Sequence, residues 1–195
     1  PAFWHVLFNL NVAKNKSANN SKIAFQLMDA KGKNILAQSF DLNKEGNGKF
    51  AANVMNPILW NEEKPYLYTL KASLITNGET TESIEQKIGF RNVVVDGKRV
   101  LVNGDPVKLR GACRHDMHPL YGRSTNRFYD SLDVALAKES NVNFIRTSHY
   151  PPSPDFLEFA DRFGIYVQEE TAICFVNNWR TGIYFKLGET NNDSS

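Results

Sequence analysis

Asn143-Phe144-Ile145-Arg146-Thr147-Ser148-His149-Tyr150-Pro151-Pro152 decides how the rest of the chain is read. Val142-Asn143-Phe144-Ile145 has the composition of a short buried strand. It delivers Arg146, Ser148 and His149 to its carboxyl end before Pro151 and Pro152, which have no N–H to give, stop ladder pairing. A helix is expected at once. Ser153 suits its cap, Pro154 its first turn, and Phe156, Leu157, Phe159, Ala160 and Phe163 keep helical spacing up to Gly164. Ile165-Tyr166-Val167 then reads as a second buried strand. Strands joined by a helix in this way are normally parallel, and polar residues at their carboxyl ends are the usual site positions.

The pattern extends toward the amino terminus. Val107-Lys108-Leu109-Arg110-Gly111 is expected as a strand opening onto Ala112-Cys113-Arg114-His115-Asp116-Met117-His118-Pro119. Phe128, Leu132, Ala135 and Leu136 trace one face of a helix of roughly four turns, with Asp130, Asp133, Lys138 and Glu139 expected in solvent. From residue 107 onward the order is strand, helix, strand, helix, strand. Polar groups follow each strand: Arg110 to His118, Arg146 to His149, and Glu169-Glu170. This is the beginning of a (β/α)8 TIM barrel, a fold that takes about 250 residues to close.

Earlier residues read differently. Phe3 to Val12, Ile23 to Met28, Ile35 to Ala37, Lys49 to Val54, Tyr66 to Leu74 and Thr80 to Ile88 alternate as strands. Turn chemistry separates them: the polar run Lys14–Ser21, Asp29-Ala30-Lys31-Gly32-Lys33, Gly46-Asn47-Gly48 and Asn77-Gly78. Six or seven short strands in about 90 residues indicate an immunoglobulin-like β-sandwich, without a Cys pair to staple it. Val93-Val94-Val95 and Val100-Leu101-Val102 flank a further hairpin. The domain expectation is a sandwich over 1–90 and the amino-terminal portion of a barrel over 91–195. Trp60 and Tyr66 either plug one end of the sandwich or, for Trp60, stack on a carbohydrate.

The chain has 195 residues, 42% of them hydrophobic and 12% aromatic, enough for two small cores. A formal charge of +2, with the basic residues dispersed among 21 acids, argues against a nucleic-acid partner. No apolar run approaches the roughly 20 residues of a membrane span, and no basic stretch precedes an apolar signal core. The compartment stays undefined. The chain opens on Pro1 and reads as an internal piece of a longer protein. Cys113 and Cys174 fit neither a disulfide framework nor a C-x-x-C site.

The residues after the strands limit the chemistry. Ser148 and His149 are adjacent, so on an extended segment they point to opposite faces and make a poor nucleophile and base. Cys113, His115, His118 and His149 lack a familiar zinc spacing. Only one of the neighbours Glu169 and Glu170 can face a site at the barrel mouth. A binding wall remains: Arg110, Arg146, His115, His149 and one glutamate offer the directional donors and acceptors that sugar hydroxyls reward. Arg110 and Arg146 equally suit a structural role, pairing with a carboxylate such as Glu170.

These residues also carry a resemblance. Ile88-Gly89-Phe90-Arg91, Leu101-Val102-Asn103-Gly104, Leu109-Arg110-Gly111, Arg114-His115-Asp116, Arg146-Thr147-Ser148-His149-Tyr150-Pro151 and Asp161-Arg162-Phe163-Gly164-Ile165-Tyr166-Val167 occur in the order and spacing of glycoside hydrolase family 2. Pro57-Ile58-Leu59-Trp60 and Pro65-Tyr66-Leu67-Tyr68 are similar to the end of that family's sandwich domain. The resemblance implies a retaining glycosidase acting on terminal β-linked sugars, β-galactosidase-like, whose two glutamates follow the fourth and seventh barrel strands and stand about 5 Å apart. It places neither catalytic glutamate in this chain, and Glu189 lacks the expected preceding Asn. The fragment alone is therefore expected to be inactive.

The resemblance further implies that His115 and His149 contact the sugar and that Arg146 is the arginine beside them; the residues themselves add Glu170 to the expected substrate-binding set. Where magnesium-using β-galactosidases place a Glu and a His ligand, this chain has Cys174 and Val176, which cannot replace oxygen or imidazole ligands on that hard cation. No cofactor is expected. Besides a carbohydrate, the partner expected is a second copy meeting the open half-barrel. Two other classes of function stay open: a non-catalytic carbohydrate-binding module built on the sandwich, and a structural fragment that self-associates.

Overall fold

The computed structural model describes residues 3–11, 21–42 and 47–172. Most of the turn expected over Lys14–Ser21, the Gly46 position, Cys174, Val176 and the polar tail from Glu189 lie outside them. Compactness divides the chain into Pro1–Lys108 and Leu109–Ser195.

In the first unit six strands form two antiparallel sheets. β1 (Phe3–Asn11) pairs with β4 (Asn47–Met55), and β3 (Asn34–Asp41), β2 (Ser21–Met28), β5 (Tyr68–Thr76) and β6 (Glu79–Ile88) lie side by side in that order. Alternation in β2 does what the sequence asks. Ile23, Phe25 and Leu27 are buried, and the residues between them are not. Leu27, Val54, Tyr68 and Phe90 join the two sheets through one core, with Trp4, Val6 and Leu36 packed against it. Phe25, Phe40 and Phe50 make a second, their rings stacked at centroid distances of 4.6–5.8 Å. Burying each such side chain is worth about 1.5–3 kcal/mol. The Asn77-Gly78 turn adopts positive φ at both residues, as a tight hairpin requires.

Trp60 is fully buried, and its backbone N–H donates to the Phe90 carbonyl at 2.8 Å. It is the plug of the two alternatives, and no face remains for a sugar. Three further short strands, β7 (Val93–Asp96), β8 (Arg99–Val102) and β9 (Asp105–Pro106), form a separate antiparallel sheet that groups with this unit.

The second unit runs β10 (Gly111–Arg114), α1 (Arg127–Glu139), β11 (Phe144–Thr147), α2 (Pro154–Phe163) and β12 (Tyr166–Gln168). The three strands are parallel and adjacent in chain order. Ser153 caps α2, accepting the Phe156 N–H at 3.0 Å, and Gly164 ends it with φ 75°, a left-handed cap that costs a Cβ-bearing residue. Val134, Ile145, Phe156, Phe159, Ala160 and Ile165 form the core where both helices meet one face of the sheet.

Two expectations are corrected here. The first barrel strand begins at Gly111, four residues later than Val107. Asn143 sets this register: it is 3% exposed, its Oδ1 accepts the Arg110 N–H at 2.7 Å, its N–H donates to the Arg110 carbonyl, and its carbonyl accepts the Tyr166 N–H. Gly111 then lies so close to Phe144 that a Cβ would stand 2.7 Å from the Phe144 carbonyl oxygen. The second correction is the inner face of α1. Asp130 and Val134 are buried, whereas Phe128, Leu132 and Leu136 are 65%, 41% and 50% exposed. Helical period groups residues onto faces without saying which face meets the sheet, and a cation at the end of β10 reverses the choice.

Candidate functional site

On β11 the side chains alternate. Ile145 enters the core beneath the helices and Thr147 is buried, so Arg146 faces the other side of the sheet. Arg146 is level with Cys113 on β10 and Gln168 on β12. Just past the strand ends stand His115, His149 and Glu170. The Ser148–His149 peptide is cis.

These four side chains converge. The His115 and His149 rings meet edge to face with centroids 5.2 Å apart. His149 Nδ1 lies 3.1 Å from Glu170 Oε1, and Arg146 Nη2 lies 2.8 Å from Glu170 Oε2. Oε2 is itself buried and takes the Arg146 charge as its partner. The Thr147 hydroxyl accepts the Glu170 N–H at 3.1 Å and fixes where the carboxylate starts. Glu169 is exposed instead.

Desolvation works to raise the Glu170 pKa. The His149 hydrogen bond and the Arg146 charge outweigh it, and the carboxyl is held below the ordinary glutamate range. It is an acceptor at neutral pH. His149 and Arg146, with side chains 39% and 42% exposed, present the open edge of the cluster.

The other candidate residues go elsewhere. Arg110 sits at the amino end of β10 and donates Nε to the Asn141 carbonyl at 3.0 Å, away from the wall. His118 stacks on Tyr121 and Tyr129, with Nδ1 accepting the Leu120 N–H at 3.1 Å. Ser148 is buried at 1% exposure, and its hydroxyl has no hydrogen-bond partner among the described residues. Among the described residues no group of three or more His, Cys, Asp or Glu side chains is gathered for a metal ion. Cys174 and Val176, the positions on which the magnesium expectation turns, lie outside the described residues.

Sequence reasoning passes over a cluster next to this wall. Arg114 donates Nη1 to Asp116, Nη2 to Asp130 Oδ1 at 2.7 Å and Nε to Asp133 Oδ2 at 2.8 Å, and its guanidinium lies 4.4 Å from the Phe156 ring centroid. The Ser153 hydroxyl bonds the other oxygen of Asp130. Burial lowers the affinity of Arg114 for its proton, but the Asp133 hydrogen bond and the three carboxylate charges more than restore it, raising its pKa. The one signal in the residues is a shared periodicity: Asp130 falls on the same helical face as Val134.

Comparison with known proteins bears on the whole chain. Residues 4–91 match the family model described as glycosyl hydrolases family 2, and residues 93–192 match that of the family's TIM barrel domain. A β-galactosidase of Staphylococcus xylosus is 35% identical over 184 residues, 94% of this chain and 17% of that protein. A putative β-glucuronidase of Formosa agariphila is 32% identical over 161 residues, 82% of this chain and 20% of that protein. The chain thus spans a fifth or less of the length of these curated relatives. Among solved structures, Bifidobacterium dentium β-glucuronidase complexed with coumarin-3-O-glucuronide superposes with TM-score 0.80 at 25% identity, covering 88% of this chain and 27% of that one. Parabacteroides merdae β-glucuronidase with glycerol in its active site gives 0.73 at 27% identity, covering 78% and 20%. With both halves matched in order, the chain belongs to glycosyl hydrolase family 2.

Proposed function

We propose that the protein containing these residues is a retaining glycosidase of β-galactosidase type acting on terminal β-linked sugars. Within it, His115, Arg146, His149 and Glu170 form one wall of the sugar site. The observation that carries this reading is their convergence beyond the carboxyl ends of adjacent parallel strands, where barrel enzymes place ligands. The similarity to a β-galactosidase over 94% of the chain favours galactose as the sugar.

The roles follow from the geometry. The Glu170 carboxylate, held by His149 and Arg146, accepts a hydroxyl hydrogen bond without titrating. The imidazoles of His115 and His149 donate or accept as their tautomers dictate, and the outer N–H groups of Arg146 donate only. Retention requires two carboxyls about 5 Å apart, one that protonates the leaving oxygen and later deprotonates the attacking water, the other that attacks the anomeric carbon. Glu169 is exposed and Glu170 is engaged by His149 and Arg146, so these neighbours do not make such a pair.

Residues 1–195 alone therefore bind a sugar weakly and do not turn it over. Incubation with chromogenic galactoside, glucuronide and mannoside is expected to release no chromophore. Hydrolysis that disappears in His149→Ala would overturn that statement, and the absence of any galactose-induced shift at His115 or His149 by NMR would overturn the wall. The sandwich as an independent carbohydrate-binding module finds no support, because no described aromatic side chain in residues 1–90 is exposed. The outer edges of β10 and β12, which have no neighbouring strand among the described residues, support association with a second copy. A monomer by light scattering would overturn it.

A further inference from the structure

Arg114 ends β10, His115 follows, and Asp116 comes next, so whatever holds Arg114 and Asp116 holds the backbone from which His115 projects. Both are held. The Arg114 side chain is 10% exposed and donates to Asp116, Asp130 and Asp133 while lying over the Phe156 ring. Asp116 gives its backbone N–H to the Tyr150 hydroxyl at 3.1 Å, and Tyr150 is the neighbour of His149. The cluster thus ties the backbone on either side of one histidine to the residue beside the other.

From this we infer that Arg114 is a positioning residue, the centre of a clamp that sets the edge-to-face contact between His115 and His149. Stability alone accounts poorly for such a cluster. A buried ion pair roughly breaks even against apolar packing of the same volume, whereas its geometry fixes register. The guanidinium is also the group for the task. Its planar fork serves three carboxylates in fixed directions while stacking flat on an aromatic face, a combination the compact lysine ammonium cannot reproduce. One cation facing three acids is tolerable because Asp133 is 46% exposed to water and Ser153 serves Asp130.

The inference rests on the sugar-wall reading only for why the ring pair matters; the clamp itself is read without ligand. In the isotope-labelled 195-residue chain, Arg114→Lys is expected to weaken the nuclear Overhauser effect between the His115 and His149 rings several-fold and to shift the His115 side-chain resonances, with the amide spectrum of β1–β6 unchanged. Arg127→Lys, which disturbs the ion pairs of α1 with Asp155 and Glu158, is the control and is expected to leave the ring pair intact. If Arg114→Lys does not fold, Tyr150→Phe, which removes only the hydroxyl holding the Asp116 amide, is expected to weaken the effect in the same way. A ring pair at wild-type strength in the folded variant, or equal weakening in Arg127→Lys, overturns the clamp. Titration of the wild type with methyl β-galactoside separates the two readings. If the Overhauser effect weakens in Arg114→Lys while the wild type shows no sugar response, the clamp stands and the wall fails. If the sugar response is present and the ring pair is unmoved by Arg114→Lys, the clamp alone fails.

Discussion

Arg146 and Glu170 stand 2.8 Å apart, one on β11 and the other just beyond β12, and they join two parallel strands at the end where His115 and His149 also stand. Glu170 is more than a strut, because its other oxygen reaches His149.

That arrangement gives a pH dependence of definite sign. The folded-state pKa of Glu170 lies below that of the unfolded chain, where glutamate titrates near about 4.3. Its contribution to stability is therefore complete above that value and is lost as pH falls through the lower folded one. Glu170→Gln is expected to be less stable than wild type at neutral pH, with the difference closing in acid. Urea midpoints measured from pH 7 down to 3 check this; a constant difference would contradict it.

Asp130 and Arg127 both belong to ion clusters on α1, in very different surroundings. Asp130 is 2% exposed and bonds both Arg114 and Ser153, whereas Arg127 is 49% exposed. Removing one partner of a buried pair costs roughly 3–5 kcal/mol, less here because Arg114 keeps two other acids. Asp130→Ala is thus expected to lower the thermal midpoint clearly and Arg127→Ala hardly at all, and calorimetry of the two side by side decides.

Thr147 and Ser148 are both buried hydroxyl residues with opposite expected effects. Thr147→Val removes the acceptor for the Glu170 N–H and should cost about 1–3 kcal/mol, the penalty of leaving a donor unsatisfied. Ser148→Ala removes a hydroxyl that bonds nothing among the described residues and should leave stability equal or higher. Denaturant unfolding of both variants tests the contrast.

Gly111→Ala brings a Cβ to 2.4 Å from Phe144 Cδ1 and 2.7 Å from the Phe144 carbonyl oxygen. The ring can turn aside, but the backbone oxygen cannot without loosening β10 from β11. Overpacking of this kind costs about 1–3 kcal/mol. Faster amide exchange at Ala112 and Cys113, together with a lower midpoint, is the expected result.

The parts of this fold set by local chemistry can be read from the residues alone. The cap at Ser153, the stop at Gly164 and the alternation of Ile23, Phe25 and Leu27 require no knowledge of what lies across from them. The juxtaposition of His115, Arg146 and His149 follows from strand order, because parallel neighbours bring their carboxyl ends to one side. What stays hidden depends on partners distant in sequence. Asp130 looks like a solvent residue until Arg114 is placed beneath it, and the start of β10 cannot be found without the Asn143 amide that receives it. Arg110 reads as a wall residue for the same reason: a strand displaced by four residues exchanges one end for the other.

Asn143 has a longer reach than the strand it opens. By bonding Arg110 on one side and Tyr166 on the other, it aligns all three strands at the margin farthest from the histidines. Insertions or deletions at the opposite margin then leave that alignment untouched. Loop length there is free to vary without disturbing the strand register below it.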